Sequence, residues 1–154
     1  MAFYSNTPVI FEGISGVVTT LVSKSPQLGS RVNYEGNEYV YVYNGGNSEI
    51  SKGYGICPQT AATGFTGTIT SVAKDPFLGV VVHATLPTAS WGWVCSKGIV
   101  PVAIASAAAT GTDICVSANG VFATYVCGTT GKEVGKILVA SSGSTAIANA
   151  YINL

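Results

Sequence analysis

Catalysis needs a nucleophile or proton carrier, a group that orients it, and donors for the charge that develops. This chain offers few such groups. His83 is the only histidine, and it stands in LGVVVHATLP, inside an apolar run that predicts a strand. A general base there would need Cys95 or a serine as nucleophile and Asp75 as orienter. No partner constellation surrounds it in sequence, so a strand histidine with one satisfied hydrogen bond fits the pattern better. EGISGV has the glycine and serine of a nucleophile elbow but neither the G-x-S-x-G spacing nor a following helix. Cys57, Cys95, Cys115 and Cys127 form no C-x-x-C pair, whereas zinc wants close pairs and several histidines. The acidic residues are scattered without calcium-loop spacing, and Gly45-Gly46 lacks the helix and lysine of a phosphate loop. We therefore expect no enzyme, no metal site and no cofactor.

Aromatic rows are the other residues that could do chemistry. NEYVYVYNGG alternates with period two, placing Tyr39, Tyr41 and Tyr43 on one face of a strand and Val40 and Val42 on the other. SWGWVCSKG shares the pattern, with Trp91 and Trp93 before a glycine turn. Rows of rings can stack bases or sugars. Arg31 is the only arginine, so the concentrated positive charge that nucleic acid requires is missing. For sugars, pairs of planar polar side chains are not close by in sequence. A strand apolar on both faces suits a barrel wall between its own core and a neighbouring subunit, so Tyr39, Tyr41 and Tyr43 are expected at a protein contact.

The elements that would position these residues are strands. Short Val- and Ile-rich runs separated by turn residues, among nineteen glycines, describe an all-β chain. Arg31–Tyr34 and the following tyrosine strand flank a turn at Glu35-Gly36-Asn37. Further strands are expected over residues 68–72, 78–84, 90–96, 99–105, 113–117, 120–127, 133–140 and 145–153. Asn119-Gly120 is the strongest hairpin signal, and CSKGIV and CGTTGKEV read as similar reversals. The architecture expected is a small β-barrel or β-sandwich of short antiparallel strands. Val40, Val42, Val80, Val82, Ile99, Val116 and Ile137 are expected in or beside its core. Residues 1–29 read differently, as an extended N-terminal arm or the first strands, and residues 30–154 as the barrel-like domain. In the arm, Phe3, Tyr4, Val9, Ile10 and Phe11 would be apolar anchors on a neighbouring subunit.

Charged residues are only 9% of the 154, and the formal net charge is zero, against about 25% charged in an average soluble domain. Such a chain tends to associate, which favours a surface shared with partners. Hydrophobic residues make up 47%, yet no run reaches the roughly 18 residues that suggest a membrane span. No basic segment precedes the first apolar residues, so no secretory signal and four reduced cysteines are expected.

SWGWVCSKGIVPVAIA, the hairpin ATGTDICVSANGVFATYV and TGKEVGKILVASSGSTAIANAYINL resemble the decoration (cement) proteins of tailed-bacteriophage capsids. Such proteins often carry a strand ending in a glycine turn, a G-D-x-v-x-x-x-G-x-f hairpin, a v-G-k-a-l strand and a closing C-terminal strand. Gly111, Asp113, Gly120, Phe122, Val134, Gly135, Lys136 and Leu138 stand in those places, with Thr112 interrupting the pattern. The likeness runs from Ser90 to Leu154 and more loosely over GSRVNYEGNEYVYVYNGGNSEISKG. It implies a virion structural protein on the outer capsid surface, assembled in the host cytoplasm. Its partner would be the major capsid protein, whose neighbouring subunits it clamps, and it would be a homo-oligomer, a trimer before a dimer. Capsid or subunit contacts would then fall to the arm anchors and the three tyrosines. Nucleic acid, membrane and catalytic residues have no part in this picture. The alternative is a carbohydrate- or receptor-binding β module, head fibre or adhesin-like, that uses the Tyr and Trp faces.

Overall fold

The computed structural model describes residues 17–18, 26–59, 64–69, 77–82, 84–126, 132–143 and 146–153. Alternating β-branched and aromatic residues produce strands, which pack by face and pair by edge. They are β1 (Val17–Val18), β2 (Arg31–Tyr34), β3 (Asn37–Asn44), β4 (Gly55–Pro58), β5 (Thr66–Thr68) and β6 (Gly79–Val80). After them come β7 (Ser90–Ile104), β8 (Asp113–Val116), β9 (Phe122–Thr124), β10 (Gly135–Ile137) and β11 (Ala146–Asn153). The chain is all-β, with a single 3-10 turn at Ala118–Gly120 among the described residues.

The turn residues act largely as their types demand. Glu35 and Gly36 take φ of 49° and 81° and close the β2–β3 hairpin, the left-handed pair that such tight turns require. Asn119 and Gly120, at φ 58° and 75°, reverse the chain between β8 and β9. The reversal expected at CSKGIV does not occur. β7 runs straight through it for 15 residues, because both halves of the strand find partners: β3 along Ser90–Lys97 and β11 along Lys97–Ile104.

Strand pairing closes a five-strand barrel twice, with β7 common to both. The first circuit runs β3–β7–β6–β4–β5 and back to β3. The second runs β7–β11–β10–β8–β9 and back to β7. These are one arrangement repeated, β3 to β7 corresponding in order to β7 to β11. Among the described residues, the only parallel pairings are β3 with β5 and β7 with β9, in equivalent places.

The repetition extends to single hydrogen bonds. Leu78 N–H donates to Ile56 O as Val134 N–H does to Ile114 O, and Gly53 N–H donates to Val81 O as Gly111 N–H does to Ile137 O. The reciprocal bridge Ile50–Leu86 recurs as Ala108–Ser141. Gly79 and Gly135 show why certain glycines recur. A Cβ at Gly79 would lie 2.7 Å from Cys95 O, and one at Gly135 would lie 2.3 Å from Tyr151 O. Cys95 and Tyr151 are themselves equivalent, so each barrel has one backbone approach that only glycine permits.

Each barrel has its own interior. Val40, Val42, Ile50, Ile56, Val81, Leu86 and Val94 fill the first. Val100, Val102, Ile104, Ile114, Val116, Phe122, Ile137 and Ile152 lie in the second core cluster. Tyr39, Tyr41, Phe77, Val80, Val82 and Trp93 join that second cluster from the outer wall of the first barrel, so barrel packs on barrel. Phe77 meets Phe122 edge-on with ring centroids 5.9 Å apart. Of the seven expected core residues, six are buried; Ile99 is 58% exposed. The cause is parity. Val100, Val102 and Ile104 take the inward face of β7, which leaves Ile99 on the outer one.

Candidate interaction surface

The aromatic row is positioned by the antiparallel register of β3 and β7, which sets Tyr41 opposite Trp93 and Tyr43 opposite Trp91. The rings meet at 5.2 Å and 4.7 Å between centroids, both tilted, as cross-strand aromatic pairs do. Tyr39 and Tyr41 are 4% and 2% exposed. The expectation that they face a capsid or a neighbouring subunit is therefore corrected: both faces of β3 are covered by this chain itself. Val40 and Val42 point into the first barrel, and Tyr39 and Tyr41 are held between the barrels. Tyr43 stays half-buried beside Trp91.

The expected anchors Phe3, Tyr4, Val9, Ile10 and Phe11 lie outside the described residues, as do His83, Asp75 and Cys127. Two points tie the segment before residue 30 to the sheet. Val17 and Val18 pair with Gly92 and Trp91 of β7, and Gly29 N–H donates to Tyr41 O at 2.8 Å. At these places the segment serves as a first strand and its connection.

Charge is sparse, and two ion pairs, Arg31–Glu38 and Lys136–Asp113, form among the described residues. Glu38 accepts hydrogen bonds from the Ser96 hydroxyl at 2.9 Å and from Arg31. The Ser96 bond, with help from Arg31 and against a desolvation cost, holds the carboxyl below its ordinary range. Lys136 bonds Asp113 and also donates to Gly111 O at 3.2 Å. Burial pushes the Cys95 thiol up to about 12, which makes it a poor nucleophile at neutral pH. Among the described residues, no three His, Cys, Asp or Glu side chains are grouped to hold a metal ion.

Two surface features were not anticipated from sequence. The first is apolar: Ile99, Ile147, Tyr151, Leu138 and Val139 are 38–58% exposed on the second barrel. AIANAYIN carried the signal, since Ile147 and Tyr151 alternate with Ala148 and Ala150. The small alanines pack inward at 4% and 0% exposure, so the large side chains face out. The second is a cleft of about 480 Å³ with Asn47, Glu49, Ser51, Tyr54, Thr68 and Asn119 on its walls. Amides, hydroxyls, one carboxylate and one ring can bind a polar ligand such as a sugar.

The described residues thus form a double barrel built on one shared strand, with an apolar outer face on the second barrel. Among solved structures, the chain is similar in fold to the head fibre gp8.5 N base of bacteriophage phi29, with a TM-score of 0.51 and 11% sequence identity. The superposition covers 75% of this chain and 94% of that one. No protein-family model matches the sequence, and no curated protein matches it either.

Proposed function

We propose that the chain is a structural protein of a bacteriophage virion, carried on the outside of the capsid. There it acts as a decoration protein that binds neighbouring major capsid subunits as a homo-oligomer and performs no catalysis. The observation that carries this reading is the fold shared with a head-fibre base domain. The sequence resemblance over Ser90–Leu154 and the low charge support it. The mechanism is linkage. A protein that binds the assembled lattice and not dispersed subunits stabilises the lattice by about 2.7 kcal/mol per site at a hundredfold excess over Kd. Apolar outer faces supply contact area, and near-zero charge avoids repulsion between closely spaced copies.

Mixing the purified protein with matching capsids that lack it tests the reading. We expect it to sediment with them at a copy number near that of the major capsid protein, and to raise the temperature at which they break. Failure to co-sediment would refute it. A second reading, a head-fibre or receptor-binding base, is favoured by the neighbour's role and by the polar cleft at Tyr54 and Asn119. Binding on a glycan array, lost with Tyr54→Ala, would select it.

A further inference from the structure

The repeat gives β11 a template for a missing neighbour. Trp91 and Gly92 of β7 correspond to Ile147 and Ala148 of β11, through Tyr43↔Trp91 and Ala103↔Ile147. In the first barrel that stretch pairs on its outer edge with β1, antiparallel, at Val17 and Val18. In the second barrel no described strand pairs there; β10 covers β11 only along Ala150–Ile152.

The backbone of Ile147 faces that edge. Asn149 O accepts from Leu138 N–H at 2.8 Å, and Asn153 N–H donates to Val134 O at 3.1 Å, both away from β7. Ile147 belongs to the same odd-numbered series. Its opposite, Ala103, sends its own N–H elsewhere, to Gly53 O at 2.8 Å, as Tyr43 opposite Trp91 sends its N–H to Phe65 O. Beside this edge stand Ile147 and Val139, both 56% exposed, and Leu138, while Tyr151 and Ile99 continue the same apolar face four residues further along. An edge that no described strand pairs, flanked by apolar side chains, is a template for strand addition.

We propose that the β11 edge at Ile147–Ala148 accepts an extended, uncharged, β-branched strand from another protein, antiparallel, in the place that Val17–Val18 takes on β7. The chemistry of the occupant follows from the template strand and from the uncharged patch. Its source follows from number: among the described residues β1 is the one strand in such a place, it is already used on its own β7, and there are two equivalent edges. The inference does not depend on the virion reading.

The probe is a fluorescent peptide of residues 13–22, GISGVVTTLV, added to the full chain, with amide hydrogen exchange read in parallel. We expect saturable binding and slowed exchange at Ile147. Ile147→Pro removes the edge N–H without touching the bonds to β7 and should weaken binding at least ~10-fold. The double variant Leu138→Ser/Val139→Ser leaves the backbone intact and should also weaken it, which covers a misfolded proline variant. No binding, or binding undiminished in both variants, would overturn the proposal. So would protection at Trp91 in place of Ile147, or a dimer of the free protein abolished by Ile147→Pro, since a second copy would then be the occupant.

Discussion

Ser96 and Arg31 hold Glu38 ionised at the point where β3 leaves its turn and meets β7. The folded-state pKa is depressed from an ordinary value of 4.5. The stabilisation is therefore fully present above that value and is lost as pH falls through the lower, folded one. We expect the melting temperature to decline below about pH 4.5, and Glu38→Gln to flatten that decline. Ser96→Ala should cost about 1 kcal/mol near neutral pH by removing one charge-assisted bond. An unchanged acid limb in Glu38→Gln would show that the bond carries no linkage. Cys95 and Cys115 are free and buried. Both should resist iodoacetamide in the native protein and react in denaturant without reductant. A native-state adduct at Cys95, whose thiol lies near 12, would contradict its burial.

At the scale of elements, much of the architecture was legible because a period of two is hard to imitate. The β2–β3 hairpin and the Asn119-Gly120 turn followed from residue type. What was illegible was which apolar face each strand turns to which cover. Tyr39 and Tyr41 look like a binding row, and only the second barrel behind them shows that they are core. The repeat was hidden for a related reason. Equivalent positions share bonding geometry but only some side chains: Val40, Val42 and Ile56-Cys57 match Val100, Val102 and Ile114-Cys115, whereas Tyr39, Tyr41 and Tyr43 stand where Ile99, Pro101 and Ala103 do. Backbone approach is the better witness, and it makes a prediction. Gly79→Ala and Gly135→Ala each drive a Cβ against a carbonyl oxygen at 2.7 Å and 2.3 Å, and each should destabilise by about 1–3 kcal/mol. Gly111→Ala, whose Cβ meets nothing within 4 Å, carries only the cost of its positive φ, about 1 kcal/mol. Denaturant midpoints of the three variants check the order.

For the whole molecule, the shared β7 has a thermodynamic consequence. A strand that is a wall of both barrels cannot leave one without opening the other, so the barrels should unfold together. Calorimetry should show one transition, lowered alike by Gly79→Ala in the first barrel and Gly135→Ala in the second. Two separable transitions would mean that the barrels are independent.

The central claim is that this double barrel sits on the outside of a phage capsid. The most direct measurement is a cryo-microscopy difference map between particles with and without the protein. The account predicts added density on the outer surface, bridging major capsid subunits and large enough for both barrels. No difference density, or density confined to the particle interior, would contradict it.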